Sequence, residues 1–233
     1  MPWMGFFYKM EKADEYILLD HVQFKKRYFE NRNCVVSPRG DIEYITVPVI
    51  GKDKSPQPIN AVEIDNSKMW KKKLLNKIRH YYSKAPFFQE NFCELESLII
   101  DNEYNTLLSF NMMAINFFRK KLDICTPMKY SSDMDIHAYK GTDLILQICL
   151  KNNADVYLCG QSGYDYLDQE QFNDHGIEIE WLDYKCPYYP QLCDQFIRNL
   201  STVDLLLNKG SESLQIIMAH QSITSEINGE VEL

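Results

Sequence analysis

The sequence contains no apolar run close to the ~18 residues of a membrane span, so no transmembrane helix is predicted. It has no basic excess, because 25 Lys and Arg against 33 Asp and Glu give a net charge of -8. An acidic chain of this kind is not expected to bind nucleic acid. Glycine and proline number only nine each among 233 residues, which excludes a low-complexity chain. With 45% apolar residues, the chain can bury a sizeable core.

Cysteine pairs and histidine pairs with metal-ligand spacing are also missing. The seven cysteines include no Cys-x-x-Cys, and the five histidines show no His-x-x-x-His spacing. Neither a disulfide nor a bound metal is therefore predicted, and no tightly bound cofactor is expected. The first residues show neither a basic start nor a small-residue cleavage site, so no signal peptide is predicted. We expect a cytoplasmic protein whose thiols stay reduced.

Hydrophobic periodicity predicts the fold class. Strand and helix patterns alternate in the first fifth of the chain and again between residues 123 and 181, while the middle is mostly helical. This order predicts an α/β fold with a mixed or mostly parallel sheet flanked by helices and an inserted, mainly helical middle segment. Residues 1–210 are predicted to be a single domain, and 211–233 a terminal helix with a disordered tail. The polar residues 128–139 are predicted to be a mobile loop.

The densest polar cluster follows directly on the apolar strand pattern Tyr16–Leu19. In open α/β sheets, ligands bind outside the carboxyl ends of the strands. Cations there would bind a diphosphate, and amides would bind sugar hydroxyls. A solvated loop is the alternative interpretation of the same residues. The cluster includes Asp20, His21, Gln23, Lys25, Asn31, Arg32 and Asn33.

Two further clusters also suit a ligand. Gly160–Asp168 follows another predicted strand, and its two glycines allow a ligand to approach the backbone closely, although a plain turn explains them too. The aromatic and amide residues Tyr188–Gln191 are predicted to stack on a sugar or base, with a surface loop as the alternative. Because parallel strands bring their carboxyl ends together, the first two clusters are predicted to line one cleft.

The order of these clusters resembles the WbqC-like protein family. The resemblance is collinear from Pro2 to about Gly210, and it covers nearly the whole chain. This chain departs from the family pattern at two positions. Family members usually carry a His-Gln-Pro motif just before Pro2, where this chain has Met1, and more often a second Asp where this chain has His21. The segments that carry the resemblance are PWMGFFYKMEKADEYILLDHVQFKKRYFENRN, YITVPV, YYSKAPFF, KGTDLILQICLKNNADVYLCGQSGYDYLDQEQFNDHGIEIEW, YPQ and LSTVDLLLNKG.

The resemblance marks functional positions in three groups. The polar motif falls on Asp20, Gln23, Lys25, Asn31, Arg32 and Asn33. The glycine motif falls on Gly160, Gly163, Tyr166 and Asp168, and the downstream motif on Tyr189, Gln191, Ser201, Asp204 and Asn208. Ser201 and Asp204 are also explained as the N-cap and first-turn acid of a helix.

Members of the family are typically encoded among bacterial genes for O-antigen and other surface polysaccharides, so the resemblance implies a lipopolysaccharide-type pathway. The leading hypothesis is a transferase that moves an acyl or aminoacyl group from a thioester, on an acyl carrier or acyl-CoA, to the amine of a nucleotide-linked sugar. Asp20 or His21 would act as general base, and the remaining residues of the polar motif, the glycine motif, Tyr189 and Gln191 would bind the substrate. Backbone N–H groups near Gly160–Gly163 would hold the developing oxyanion or a phosphate. A non-catalytic scaffold of the same pathway and a nucleotidyl-transfer enzyme are the alternatives.

Overall fold

The computed structural model describes residues 1–51 and 57–219. Its contacts divide the chain into two compact units. The larger unit is formed by Met1–Tyr8, Gln23–Cys125 and Cys186–Leu233, and the smaller unit by Lys9–Val22 and Thr126–Lys185. Each unit therefore joins segments that are distant in the sequence. The single domain over residues 1–210 stays a prediction, and the predicted tail beyond residue 219 lies outside the described residues.

Helices and strands alternate along the chain, with three consecutive helices in its middle. A helix, α8, lies in the predicted terminal segment. In chain order the elements are α1 Met4–Lys12, β1 Tyr16–Leu18, β2 Arg32–Val36, β3 Ile42–Thr46, α2 Trp70–Tyr82, α3 Phe88–Ile100, α4 Leu107–Lys121, β4 Met128–Tyr130, α5 Gly141–Lys151, β5 Val156–Gly160, α6 Gln169–Asp174, β6 Glu178–Leu182, α7 Thr202–Lys209 and α8 Ser213–Met218.

The core of the larger unit contains the inner faces of α2, α3 and α4. In α2 the apolar residues recur at helical spacing, and those on its inner face, such as Leu74 and Ile78, are buried. Phe92 of α3 and Phe110 of α4 are buried as well. Burying an apolar side chain of this size contributes about 1.5–3 kcal/mol. The mainly helical middle segment is thus confirmed.

An antiparallel hairpin carries part of the polar cluster. Strands β2 and β3 pair with Cys34 opposite Tyr44, and four of the five residues of β2 are buried. The connecting turn is closed by the N–H of Ser37, which donates to the carbonyl of Asp41 at 2.9 Å. Gly40 in this turn has φ = 90°, a conformation that glycine adopts without strain. The hairpin fixes Arg32 at the start of a largely buried strand.

The smaller unit contains two parallel strand pairs, β1 with β4 and β5 with β6. Helix α5 supplies apolar residues to two clusters. Ile145 and Cys149 pack with Phe172 of α6, while Leu144 and Ile148 pack with Ile136. The clusters bury different sides of the same helix, which explains why the α5 sequence is apolar on more than one face.

The fold is mixed α/β with flanking helices, as predicted. Among the described residues the strands lie in three two-stranded sheets, two parallel and one antiparallel. The mobile loop predicted over residues 128–139 is wrong at its start, because Met128–Tyr130 forms β4 beside β1. The strand is only three residues long, and its central residue is exposed, so its sequence carries little apolar signal. Pairing with β1 stabilises β4, whose own sequence shows little strand periodicity.

Candidate functional site

Asp20 follows β1, and its carboxylate is held by the residues that follow β4. Leu18 pairs with Tyr130 across the parallel strands, so the two chain segments leave the sheet side by side. Oδ1 of Asp20 accepts from the Ser131 hydroxyl at 3.1 Å and from the Ser132 N–H at 2.9 Å, and Oδ2 accepts from the Ser132 hydroxyl at 2.6 Å. Asp20 is only 2% exposed.

These hydrogen bonds decide the charge of Asp20. Burial raises the pKa of the carboxyl, but the bonds from Ser132 and Ser131 lower it, and the net pKa lies below its ordinary value. The bonds stabilise the ionised form, as expected when several donors converge on one carboxylate. Asp20 is therefore a carboxylate at neutral pH and a poor proton acceptor.

His21 is connected to Asp20 through the buried hydroxyl of Ser131. Nδ1 of His21 lies 2.6 Å from Ser131 Oγ, which also accepts the Asp20 N–H at 3.2 Å. A carboxylate only accepts hydrogen bonds, so the Ser131 hydroxyl donates to Asp20 and its lone pairs accept from the other two groups. This arrangement requires the hydrogen on Nδ1 of His21. Nε2 is then the acceptor nitrogen, and the described residues give it no hydrogen-bond partner.

The pKa of His21 suits a neutral imidazole. It is lowered mainly by burial and further by the neighbouring His137, while the charge of Asp20 raises it. The rings of His21 and His137 meet edge to face, with centroids 5.2 Å apart. His21 is half-buried and His137 is exposed, so the pair lies at the surface of its unit. We call Asp20, His21, Ser131, Ser132 and His137 the Asp20 cluster.

The rest of the first polar group lies in the larger unit, and two of its members have structural contacts. Asn31 is buried, accepts the Arg27 N–H at 3.1 Å and donates to the Val47 carbonyl at 3.1 Å. Asn33 is buried and donates to the Met1 carbonyl at 2.9 Å. The exposed Gln23 forms an isolated backbone bridge with Pro58. These contacts account for both asparagines without a ligand.

A small surface pocket surrounds Arg32. The guanidinium lies over the ring of Tyr44, 4.1 Å from its centroid, and the ammonium of Lys25 lies 5.5 Å from the Tyr28 ring. The pocket volume is about 40 Å³, little more than one water occupies, so a ligand would extend across its mouth. Its lining, here called the arginine pocket, comprises Arg27, Tyr28, Phe29, Arg32, Asn33, Cys34 and Tyr44.

Both arginines of the arginine pocket are free of ion pairs within the described part of the chain. Arg27 has φ = 63°, uncommon for a residue with a side chain, and its N–H donates to Oδ1 of Asn31, which helps to hold this conformation. Cation–π contact positions the Arg32 guanidinium without neutralising it. The pocket therefore presents unpaired positive charge to an anion.

In the glycine motif, packing and capping explain two positions. A Cβ on Gly163 would lie 2.1 Å from Sγ of Cys159, so only glycine fits against this strand. Asp168 is the N-cap of α6, accepting from the Glu170 N–H at 3.1 Å. Around Gly160 a Cβ would meet nothing within 4 Å, and Tyr166 is exposed. The substrate-binding role of the motif stays a prediction.

The downstream motif forms a buried network around Asp204. The carboxylate is 0% exposed and accepts from the hydroxyls of Tyr82 at 2.7 Å and Tyr189 at 2.8 Å, and from Gln191 Nε2 at 3.2 Å. Asn208 Nδ2 lies 3.4 Å from Oδ1. Burial raises the pKa of Asp204 to about 6, against the lowering effect of these bonds. We call these five residues the Asp204 network.

The Asp204 network corrects the interpretation of Tyr189 and Gln191. Tyr189 is 1% exposed, so its ring has no face free to stack on a sugar or base. Gln191 also donates to the Ile197 carbonyl at 2.9 Å and accepts the Ile197 N–H at 2.8 Å. Its amide thus fixes the chain that leads into α7. Ser201, the N-cap residue of α7, is buried too, and its N–H donates to the Cys34 carbonyl.

Sequence reasoning missed Ser131, Ser132 and His137, because they lie in the segment predicted to be a loop. The available signal was the pair of hydroxyl residues at the end of a short Met-Lys-Tyr run, which matches a strand end as well as a loop. The predicted cleft shared by Arg32 and Gly163 stays a prediction, since these residues belong to different units.

Within residues 1–51 and 57–219, no three His, Cys, Asp or Glu side chains are placed to share a metal ion. No helix in these ranges is long and apolar enough to span a membrane. All seven cysteines are free thiols; Cys93 and Cys125 are exposed, and the other five are buried.

Comparison with known proteins identifies the family. The model of the WbqC-like protein family matches residues 1–216, and the chain belongs to this family. The chain is 31% identical over 214 residues to a protein of Mycobacterium tuberculosis (strain ATCC 25618 / H37Rv) named "Uncharacterized protein Rv1507c", covering 91% of each chain. No solved structure matches at a significant level.

Proposed function

We propose that this protein is a transferase of bacterial surface-polysaccharide assembly that acylates or aminoacylates the amine of a nucleotide-linked sugar. The observation that carries the proposal is the hydrogen-bonded chain from the Asp20 carboxylate through Ser131 to the His21 imidazole. A carboxylate that orients a neutral histidine through a buried hydroxyl is suited to general base catalysis. Family membership supports the pathway, and the Asp20 cluster supports the reaction type.

The chemistry assigns different roles to the two predicted catalytic residues. His21 accepts the proton of the sugar amine on Nε2 as the nitrogen forms its bond to the thioester carbonyl carbon. The C–S bond then breaks, and the proton on Nε2 passes to the leaving thiolate. Asp20 stays ionised, holds Ser131 and stabilises the imidazolium that forms between these steps. Asp20 is therefore a positioning residue, and His21 is the proposed base.

The test of the catalytic proposal is a transfer assay with uridine and thymidine diphosphate amino sugars and acyl- or aminoacyl-thioesters. His21→Gln should lower the transfer rate about 10²–10⁴-fold, the usual contribution of a general base. His175→Gln is the matched control, because His175 is exposed and its Nδ1 contacts only the Gln171 carbonyl nearby. Equal rates for parent and His21→Gln would remove His21 from the mechanism.

The proposed nucleotide site is the arginine pocket in the larger unit. Its two unpaired guanidinium groups and three aromatic rings suit a diphosphate and a base or sugar. The overall charge of -8 makes such a cationic spot uncommon on this protein. We propose that Arg32 binds a phosphate, with Lys25 nearby.

Calorimetry with the same diphosphate sugars tests the arginine pocket. Arg32→Ala should lose a charge-assisted hydrogen bond of roughly 1.5–3 kcal/mol, which weakens binding about ten- to a hundred-fold. Arg39→Ala is the control, since Arg39 is an exposed arginine on the hairpin turn. Unchanged affinity for Arg32→Ala, or loss of its folding transition, would make Arg32 a structural residue only.

The roles of Gly160 and of a thioester donor rest on the same proposal. Backbone N–H groups near Gly160–Gly163 are proposed to stabilise the oxyanion formed during acyl transfer. If no thioester gives transfer while nucleotide sugars still bind, a non-catalytic binding role in the pathway replaces the transferase.

A further inference from the structure

A pair of stacked aromatic rings, one exposed and one half-buried, lies at the end of the β5–β6 sheet. The rings of Tyr164 and Trp181 are nearly parallel, with 12° between their planes and centroids 3.8 Å apart. Tyr164 lies in a 3-10 turn over Gln161–Asp165 directly after β5, and Trp181 lies in β6. Tyr164 is 58% exposed. Trp181 covers one face of the tyrosine ring, so the opposite face is the exposed one.

Close packing holds this turn against the tryptophan. A Cβ at Gly163 would lie 2.1 Å from Cys159 Sγ and 3.1 Å from Cζ3 of Trp181, so a side chain there would push the turn outward. Gly163 therefore serves to place Tyr164 on Trp181. Stacking of two rings contributes about 0.5–1.5 kcal/mol, but it does not require that the outer ring stay in water.

Polar groups lie beside the rings at the same strand ends. Gly160 pairs with Leu182, so Gln161 and Asp183 are the next residues of the two parallel strands. Gln161 Nε2 donates to Oδ1 of Asp183 at 2.7 Å, and Lys185 Nζ lies 3.2 Å from Oδ2. The Gln161 amide is thereby oriented, and its Oε1 accepts no hydrogen bond from any described residue.

This combination fits a sugar ring better than a phosphate-bearing ligand. A flat aromatic face packs against the C–H face of a pyranose, and oriented amide and carboxylate oxygens accept bonds from its hydroxyls. Asp165 of the same turn and Asp183 carry carboxylates at this strand end, and Lys185 is paired with Asp183. On the ring face, away from the backbone N–H groups of Gly160–Gly163, these carboxylates would repel a phosphate but not a neutral sugar.

We propose that Tyr164 and Trp181 form an aromatic platform that binds a neutral pyranose ring, with Gln161 and Asp183 accepting hydrogen bonds from its hydroxyls. The proposal deepens the proposed function, because a sugar-modifying enzyme needs a surface for the sugar itself. It assigns a ligand class to residues outside the positions marked by the family resemblance, namely Gln161, Tyr164, Trp181 and Asp183.

Saturation-transfer NMR and tryptophan fluorescence with methyl glycosides of N-acetylglucosamine, N-acetylgalactosamine and rhamnose test the platform. At least one glycoside should bind the parent, and Tyr164→Ala should weaken that binding about ten-fold, the upper end of an aromatic contact. Tyr164→Phe, which keeps the ring, should bind as the parent does. Tyr139→Ala is the control, because Tyr139 is an exposed tyrosine, 40% exposed, that has no place in the platform or in the other proposed sites.

The outcomes separate the platform from the transferase. Tyr164→Ala binding as tightly as the parent, or no binding of any glycoside by the parent, overturns the platform. Competition by uridine diphosphate alone for the same rings would also overturn it, because the ligand would then be a nucleotide. Loss of transfer in His21→Gln with parent-like glycoside binding supports the platform as a separate site. Tyr164-dependent sugar binding without any transfer activity would refute the transferase and keep the platform.

Discussion

Asp20 and Asp204, the two buried aspartates among the described residues, show how similar burial accompanies opposite pKa shifts. Asp20 in the smaller unit and Asp204 in the larger unit are 2% and 0% exposed. Each accepts at least three hydrogen bonds from side chains or backbone. Yet the pKa of Asp20 lies below its ordinary value, whereas the pKa of Asp204 is raised to about 6.

The difference follows from the balance between desolvation of each carboxylate and the hydrogen bonds it accepts. Asp20 stands at a strand end near the half-buried His21, so its desolvation is small enough for a backbone N–H and two hydroxyls to outweigh it. Asp204 lies inside the larger unit between two phenols, an amide and α7, and its desolvation outweighs their bonds. Tyr82 and Tyr189 also stay protonated, because burial and the neighbouring Asp204 raise the pKa of both phenols well above 10.

The comparison distinguishes a cluster suited to proton transfer from a buried network suited to stabilising the fold. The Asp20 cluster connects a carboxylate to a titratable ring that reaches the surface of its unit. The Asp204 network joins α2, α7 and the segment before α7, and no member of it other than Gln191 is more than slightly exposed. A charged residue marked by family resemblance is therefore a candidate for catalysis in the first case and for stability in the second.

The largest expected effect is the pH dependence that Asp204 gives to stability. Its folded pKa of about 6 lies above the ordinary value of 3.8, so the folded state binds more protons between these values. The free energy of unfolding should therefore fall as pH rises from about 4 to 6 and level off above, by about 3 kcal/mol at 1.36 kcal/mol per pKa unit. Urea unfolding across this range measures it. Asp204→Asn should remove this slope, and a slope equal to that of the parent would contradict the assignment.

Removing one phenol from the Asp204 network should have the next largest effect. Tyr82→Phe deletes the hydroxyl that donates to Oδ2 of Asp204 and accepts the Val36 N–H at 3.1 Å. A hydrogen bond to a charged group contributes about 1.5–3 kcal/mol, so the free energy of unfolding should fall by that amount at pH 7. Tyr139→Phe, at an exposed tyrosine, should change it by less than about 0.5 kcal/mol. Equal stabilities of the two variants would show that the network contributes nothing.

The smallest expected effect concerns the Asp20 cluster, where substitution should change a titration more than it changes stability. Because the charge of Asp20 raises the pKa of His21, Asp20→Asn should lower that pKa below its parent value. In the parent, stability from Asp20 is present above pH 3.8 and is lost only as pH falls through its lowered pKa, the opposite direction to Asp204. NMR titration of the His21 ring checks the first point and also reports the Nδ1–H tautomer. A parent His21 protonated on Nε2 would contradict the proposed hydrogen-bond chain.

Much of the fold was predictable because it is encoded in local periodicity. The buried stripe Leu74, Leu75 and Ile78 and the hairpin that pairs Cys34 with Tyr44 follow from the spacing of apolar residues and turn residues over short segments. The segment after Pro127 was not predictable in this way. Three residues of weakly apolar character become a strand only because β1 lies beside them.

The sequence by itself determined which residues are polar at strand ends, and it placed Asp20, His21 and Arg32 among the candidates through residue type and family resemblance. Tertiary structure alone decided what each of them does in its unit. It brought Ser131, 111 residues from Asp20 in the chain, between that carboxylate and His21, and it buried Tyr189 against Asp204. Burial and hydrogen-bond partners set the charge of a carboxylate, and both depend on contacts between residues that are far apart in the sequence.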